Sequence, residues 1–367
     1  MRRLSLAFGL AAFLAFLPSS LAQDVAPEPG ESFVRARVME IVREERSDAG
    51  GMERTLQQVR LRLLDGAEKG EEILLENAVI GDREGMRLGA GETVVARMLV
   101  KVDGSVEYVA AERYRLPGMG MLLVFFLILT VIFGRLTGLR SLLGLAVSIL
   151  ILVFYVVPFI ARGSNPVLVS LVGSVAIACT SLFLAHGFTR RTSVAFLSTA
   201  VTLACSVVLA FVFVRVARLF GMGSEEALFL QGGGFGNVDL RGLLLGGIII
   251  GTLGVLDDIT TAQTAAVDEV HKANPALGRA ALLRAGFSVG REHIASLINT
   301  LALAYAGASL PLLLLFTADV GQPLWVTLNS EFLAEEIIRT LVGSSALLLA
   351  VPISTWFAVG LLGRKRA

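Results

Sequence analysis

Leu142-Leu143-Gly144-Leu145-Ala146-Val147-Ser148-Ile149-Leu150-Ile151-Leu152-Val153-Phe154-Tyr155-Val156-Val157-Pro158-Phe159-Ile160 runs without one charged side chain. A helix rises about 1.5 Å per residue, so about 20 apolar residues cross a hydrocarbon layer about 30 Å thick. This stretch has that length. Comparable runs occupy residues 118–133, 166–185, 193–214, 242–266, 294–316 and 337–362. The expected fold class is therefore a polytopic α-helical membrane protein with about seven transmembrane helices.

Outward from these runs the composition changes. Charged residues make up 17% of the chain and apolar ones 54%, against about 25% charged in a soluble domain. More than half of the charges fall between Gln23 and Pro117, which marks a water-exposed segment ahead of a lipid-exposed one. Met1-Arg2-Arg3, the apolar run from Leu4 to Leu17 and the small residues Ser20-Leu21-Ala22 have the layout of a secretion signal. An uncleaved anchor is the competing reading, and either one exports the segment that begins at Gln23. The expected organisation is a signal peptide over 1–22, an extracytoplasmic β-rich domain over 23–116, a transmembrane domain over 117–363 and a basic tail over 364–367. The net charge of +1 and the absence of a basic, aromatic-interleaved patch argue against nucleic acid as a partner. Cys179 and Cys205 both sit in apolar runs, where packing explains them.

Between Phe33 and Arg115 the pattern has period two. Val34, Ala36 and Val38 alternate with Arg35 and Arg37, and Val59, Leu61 and Leu63 alternate with Arg60 and Arg62. Further strand candidates cover 71–77, 93–101 and 106–112, separated by turn residues such as Asp65-Gly66 and Gly89-Ala90-Gly91. Five short strands predict a small closed barrel, with an OB-like topology one form it could take. With Phe33, Tyr108 and Tyr114 its only aromatics, it lacks a base-stacking platform, and a docking module for an envelope partner is the plainer expectation.

Loop charges orient the spans. Arg135, Arg140, Arg190, Arg191, Lys272, Arg279, Arg284, Arg291 and Arg364-Lys365-Arg366 fall on one side. The other side offers mainly Arg162, Arg215, Arg218 and Arg241. The positive-inside rule then puts the β domain outside and the C-terminus in the cytoplasm. The stretch 325–338 mixes Trp325, Leu328 and Phe332 with Glu331, Glu335 and Glu336, the pattern of a short interfacial helix or of an ordinary loop.

Polar chemistry concentrates in the fifth and sixth runs. Gly242, Gly246, Gly247, Gly251 and Gly254 mark the fifth, and GxxxG spacing permits close helix approach, so packing explains them. Asp257 and Asp258 come next, at a depth where a carboxylate costs several kcal/mol unless paired, protonated or facing water. Asp258, Thr261, Ala265 and Glu269 share one helical stripe with Asp257 and Thr264 at its edges, and Gln263 lies nearby. Arg291, Glu292 and His293 open the sixth run, and Ser296, Asn299 and Thr300 continue its polar face, so Arg291 or His293 is the expected counter-charge to an aspartate. A structural network locking two helices and a site for an ion, proton or solute are both compatible with this. His186, His271 and His293 lack zinc-ligand spacing. No nucleotide loop or nucleophile elbow appears, and no cofactor is expected.

Three of these stretches and a fourth beyond them carry a resemblance. Gly254-Val255-Leu256-Asp257-Asp258-Ile259-Thr260-Thr261-Ala262-Gln263-Thr264-Ala265-Ala266-Val267, then Ala273-Asn274-Pro275, Gly290-Arg291-Glu292-His293-Ile294-Ala295-Ser296 and Ala304-Tyr305-Ala306-Gly307-Ala308-Ser309-Leu310-Pro311 resemble the YibE/F-like family of bacterial membrane proteins. The resemblance implies a multi-pass inner-membrane protein, often with an extracytoplasmic N-terminal domain, and brings no biochemical activity. It also implies that Asp258 and Glu269 hold the acidic positions of the central motif, with Asp257 less general. Three functions compete: a transporter or ion-coupled permease, a scaffold whose β domain docks an envelope protein, and an intramembrane aspartyl protease. The last lacks a second aspartate on a facing span. The lipid bilayer is the expected partner by this reading, and a second copy of the chain is a further candidate.

Overall fold

The computed structural model describes residues 31–49, 52–66, 68–80, 87–100, 106–233, 238–311, 314 and 323–363. The expected secretion signal, the basic tail and the end of the run at 294–316 lie outside them. Two compact units divide between Leu129 and Thr130.

In the first unit the alternating segments form β1 (Glu31–Ala49), β2 (Met52–Leu63), β3 (Glu72–Ile80), β4 (Thr93–Val100) and β5 (Val106–Arg113). They make one antiparallel sheet in the order β3-β2-β1-β4-β5. The sheet coils until β3 and β5 approach, with no ladder joining them among the described residues. It is thus a half-barrel and not the closed barrel expected. Its core is the inward set the alternation points to: Val34, Ala36, Val38, Val59, Leu61, Leu63, Leu75 and Val94. Buried Gln57 ties the β2 wall to the segment before β4. Its side-chain oxygen accepts from the Leu88 N–H at 2.8 Å and from Asn77 Nδ2 at 3.2 Å.

Asp65 closes the turn after β2, accepting from the Arg35 N–H and Nε, both at 2.6 Å. These bonds hold its carboxyl below the usual carboxylate range, side chain first and backbone second, and raise the Arg35 guanidinium. A lowered acid favours the fold above the ordinary carboxylate range, about pH 4, and that contribution fades as pH falls through its own lower value. Amide protection at Arg35 is therefore expected to drop on acidification. Asp65→Asn should weaken that protection at neutral pH and flatten its acid dependence; an unchanged acid profile in Asp65→Asn would refute the assignment. At the alkaline end, burial and a hydrogen bond to Glu68 push the Tyr108 phenol up to about 12. Its neutral form favours the fold below pH 10 and loses that effect as pH climbs toward 12.

The second unit holds the rest of α1 (Leu116–Ile151), a π-helical turn (Leu152–Val156), α2 (Val157–Ala161), α3 (Pro166–His186), α4 (Arg190–Val216), α5 (Glu225–Gly232), α6 (Leu240–Ala273), α7 (Arg279–Ala308), α8 (Leu324–Leu328) and α9 (Glu331–Leu361). Five helical runs among the described residues are long and apolar enough to cross a membrane: Leu116–Ala161, α3, α4, α6 and α9. The protein is membrane-embedded. The first of them is not straight. Arg135 has φ 49° and ψ −136°, and a Cβ on Gly138 would lie 2.4 Å from the Thr130 carbonyl oxygen. In a continuous helix residues eight apart are separated by about 12 Å, so the chain turns sharply there. The run expected at 294–316 begins inside α7, whose first half is too charged to count as apolar. The stretch at 325–338 splits into α8 and the start of α9.

α6 packs against α3, α4, α7 and α9 and is the axis of the bundle. Its buried stripe, including Leu245, Ile249, Leu253, Leu256, Thr260, Gln263 and Val267, recurs at helical spacing. Gly246 meets Ser170 and Asp257 meets Ser181, so α3 and α6 run parallel. Gly343 near Thr252 and Thr355 bonded to Gln263 make α9 parallel as well. Tyr305 near Gly251 and Gly290 near Gln263 make α7 antiparallel.

Candidate functional site

Position on α6 separates the two aspartates. Asp257 comes one turn after Leu253 and precedes Thr260 and Thr264 by one turn and two, which turns it toward α3. Asp258 lies about 100° further round and is exposed on the outer surface of the bundle. Asp257 Oδ2 accepts from Ser181 Oγ at 2.8 Å. Its Oδ1 is enclosed and has no partner among the described residues. Thus the carboxylate that enters the bundle is Asp257, not the one at the centre of the expected stripe.

The other expected members separate accordingly. Thr261 and Thr264 have enclosed hydroxyls without a partner among the described residues. Gln263 is fully buried, and its Nε2 donates to the Gly286 carbonyl at 2.7 Å and to Thr355 Oγ1 at 2.8 Å, joining α6, α7 and α9. Glu269 is at the surface, taken up by Lys272 at 3.0 Å and Arg191 at 3.8 Å. Arg291, Glu292, Ser296, Asn299 and Thr300 are exposed, and His293 is half-buried with an enclosed Nδ1. No ion pair joins Arg291 or His293 to either aspartate among the described residues. The physical reason is the face α7 buries. It meets α6 and α9 through Gly286 and Gly290, and a Cβ there would lie 2.7 Å from Thr355 Cγ2 and 2.3 Å from Val351 Cγ1 respectively. That contact turns the charged face of α7 outward.

The glycines of α6 divide in the same way. A Cβ on Gly242 or Gly246 would lie 3.1 Å from Pro166 Cδ or 2.4 Å from Ser170 Oγ, and one on Gly251 would lie 3.1 Å from the Tyr305 hydroxyl. Gly247 and Gly254 face open space.

Sequence reasoning missed the partner side of the seam. Ser170, Ser174 and Ser181 of α3 recur at spacings of four and seven and lie along α6, and the first two hydroxyls are enclosed without a partner among the described residues. Thr199 of α4 bonds Thr260 at 2.7 Å. The hydroxyl stripe of α3 and the Gly286/Gly290 pair were both legible as patterns. The enclosed hydroxyls of Ser170 and Ser174 and the Asp257-bonded hydroxyl of Ser181 thus follow one face of α3 along the α3/α6 contact. Among the described residues no group of three His, Cys, Asp or Glu side chains is placed to hold a metal.

Comparison with curated proteins and with solved structures found no match. The sequence profile of the YibE/F-like protein family matches residues 122–364. That match covers about two-thirds of the chain and contains α3, α4, α6, α7 and α9 with the whole Asp257 seam; the chain belongs to the YibE/F-like family.

Proposed function

We propose that the protein is a proton- or ion-coupled permease of the bacterial inner membrane, with Asp257 as the coupling carboxylate. The observation that carries this reading is the half-buried Asp257, bonded once to Ser181 and otherwise without a partner among the described residues. From Leu240 the helix rises about 26 Å to reach it, which is within a hydrocarbon core about 30 Å thick. A carboxylate there, with no ion pair to a cationic side chain among the described residues, is driven to take up a proton or a cation, and that alternation is what coupling needs. The sharp bend at Arg135 and the length of α7 leave room for seven crossings, and the loop charges favour the β unit outside and the C-terminus inside.

Reconstituted into liposomes under an imposed pH gradient, the full chain is expected to move protons in response to at least one solute of a broad panel, read with a lumenal pH dye. Asp257→Asn should lower that rate at least about tenfold, the scale of losing one required proton carrier, and Asp258→Asn should leave it within about twofold. Full proton movement in Asp257→Asn would sink the assignment. The scaffold reading has a separate signature: deleting residues 33–115 would abolish co-purification of an envelope protein while Asp257→Asn stayed silent.

A further inference from the structure

At the end of the bundle remote from Asp257, a cleft of 610 Å³ opens between the start of α3, the end of α4, the 217–224 loop and the start of α6. Two arginines line it, Arg215 from α4 and Arg241 from α6. Each is held from behind by an aromatic ring: Arg215 lies over Phe211 at 4.6 Å, and Arg241 lies over Phe220 at 5.1 Å. Arg241 Nε also donates to the Leu219 carbonyl at 2.8 Å, which fixes the plane of its guanidinium. Neither arginine forms an ion pair among the described residues. Asn165 adds amide donors, since among the described residues only its side-chain oxygen is used, accepting from the Leu168 N–H at 3.1 Å.

The opposing charge is small. Asp239 is the one carboxylate among the described lining residues, and it makes no capping hydrogen bond to α6. Glu331 is already occupied: one of its oxygens accepts from the N–H groups of Phe220, Gly221 and Met222 at 2.6, 3.0 and 3.3 Å. Because α3 and α6 are parallel, both also turn their N-terminal, positive ends toward this cleft. The volume is within the range of small-molecule sites, about 300–1,000 Å³.

We propose that this cleft binds a phosphate group, with Arg215 and Arg241 as its two guanidinium donors. Donors arrive from α3, α4 and α6. A tetrahedral phosphate presents oxygens in several directions and can accept from all three, whereas a planar carboxylate offers two oxygens in one plane. The phosphate belongs either to a soluble solute or to a lipid headgroup, because the cleft lies where apolar α4 ends. The site does not depend on Asp257 acting in transport.

The test uses the full chain in maltoside detergent micelles, which carry no phosphate, titrated with inorganic phosphate and with glycerol 3-phosphate, and read as a shift in unfolding midpoint. Binding is expected, about tenfold weaker in Arg215→Gln and in Arg241→Gln, the scale of one charge-assisted hydrogen bond. Asp239→Asn should bind more tightly, a sign that a merely damaged fold would not give. In nanodiscs containing phosphatidylglycerol, loss of the soluble ligands' effect together with a midpoint raised in wild type but not in Arg215→Gln assigns the site to lipid; an unchanged titration assigns it to a solute. No shift with soluble phosphate in the phosphate-free micelles, or equal shifts in wild type and both arginine variants, overturns the proposal.

Discussion

Gly290→Val is expected to eliminate the folded bundle. A Cβ at Gly290 would lie 2.3 Å from Val351 Cγ1 and 3.2 Å from Gln263 Nε2. Val351 is 1% exposed and Gln263 is fully buried, so neither has free volume to enter. Overpacking a closed core costs about 1–3 kcal/mol and more where the neighbours cannot shift. Here the shift would also break the Gln263 bonds to Gly286 and Thr355, leaving buried polar groups unmet at about 1–3 kcal/mol each. Three helices would part together. Size-exclusion profile and unfolding midpoint of the purified chain in detergent provide the readout, with Gly247→Val as the comparison because nothing lies within 4 Å of a Cβ there. Equal behaviour of the two variants would show that the α6/α7/α9 contact does not hold the bundle.

Gly221→Ala should also damage the bundle, for a different reason. Gly221 has φ +84°, and a Cβ would lie 2.2 Å from the Leu240 carbonyl oxygen and 2.9 Å from the Arg241 nitrogen. The left-handed conformation alone costs a non-glycine residue about 1–2 kcal/mol. The contact is with backbone, which cannot rotate away as a side chain can, so the 220–223 loop must move off the start of α6. That movement pulls its N–H groups from Glu331 and Glu335, the latter bonded to the Gly223 N–H at 2.8 Å. Gly163→Ala isolates the conformational part, since Gly163 has φ +82° and open space around it. A clearly larger fall in unfolding midpoint for Gly221→Ala is expected; equal falls would mean the loop does not rest on α6.

Much of the site was written in the order of residues, and its orientation was not. Asp257 and Asp258 are adjacent, and both share a polar neighbourhood with Thr261 and Thr264. A helical stripe drawn through Asp258 collects Thr261 and Glu269 and looks like a path. The carboxylate that enters the bundle is one residue earlier, because the apolar stripe from Leu245 to Val267 decides which face of α6 is buried, and Asp257 sits at its margin. Arg291 and His293 were expected to face the aspartates for want of any way to rotate α7. Gly286 and Gly290 rotate it, since helices approach closest where side chains are absent.

What the sequence determined by itself is what depends on distance along the chain. Apolar runs of spanning length give a membrane protein, and period-two alternation gives the inward set of the β unit. The motifs from Gly254 to Pro311 carry the family. What only the tertiary structure decided depends on rotation about an axis or on closure between distant segments. It left the sheet a half-barrel, bent the first helical run at Arg135, paired Asp257 with Ser181 and gathered Arg215 and Arg241 around one cleft. A period fixes which residues share a face; only packing fixes what that face meets.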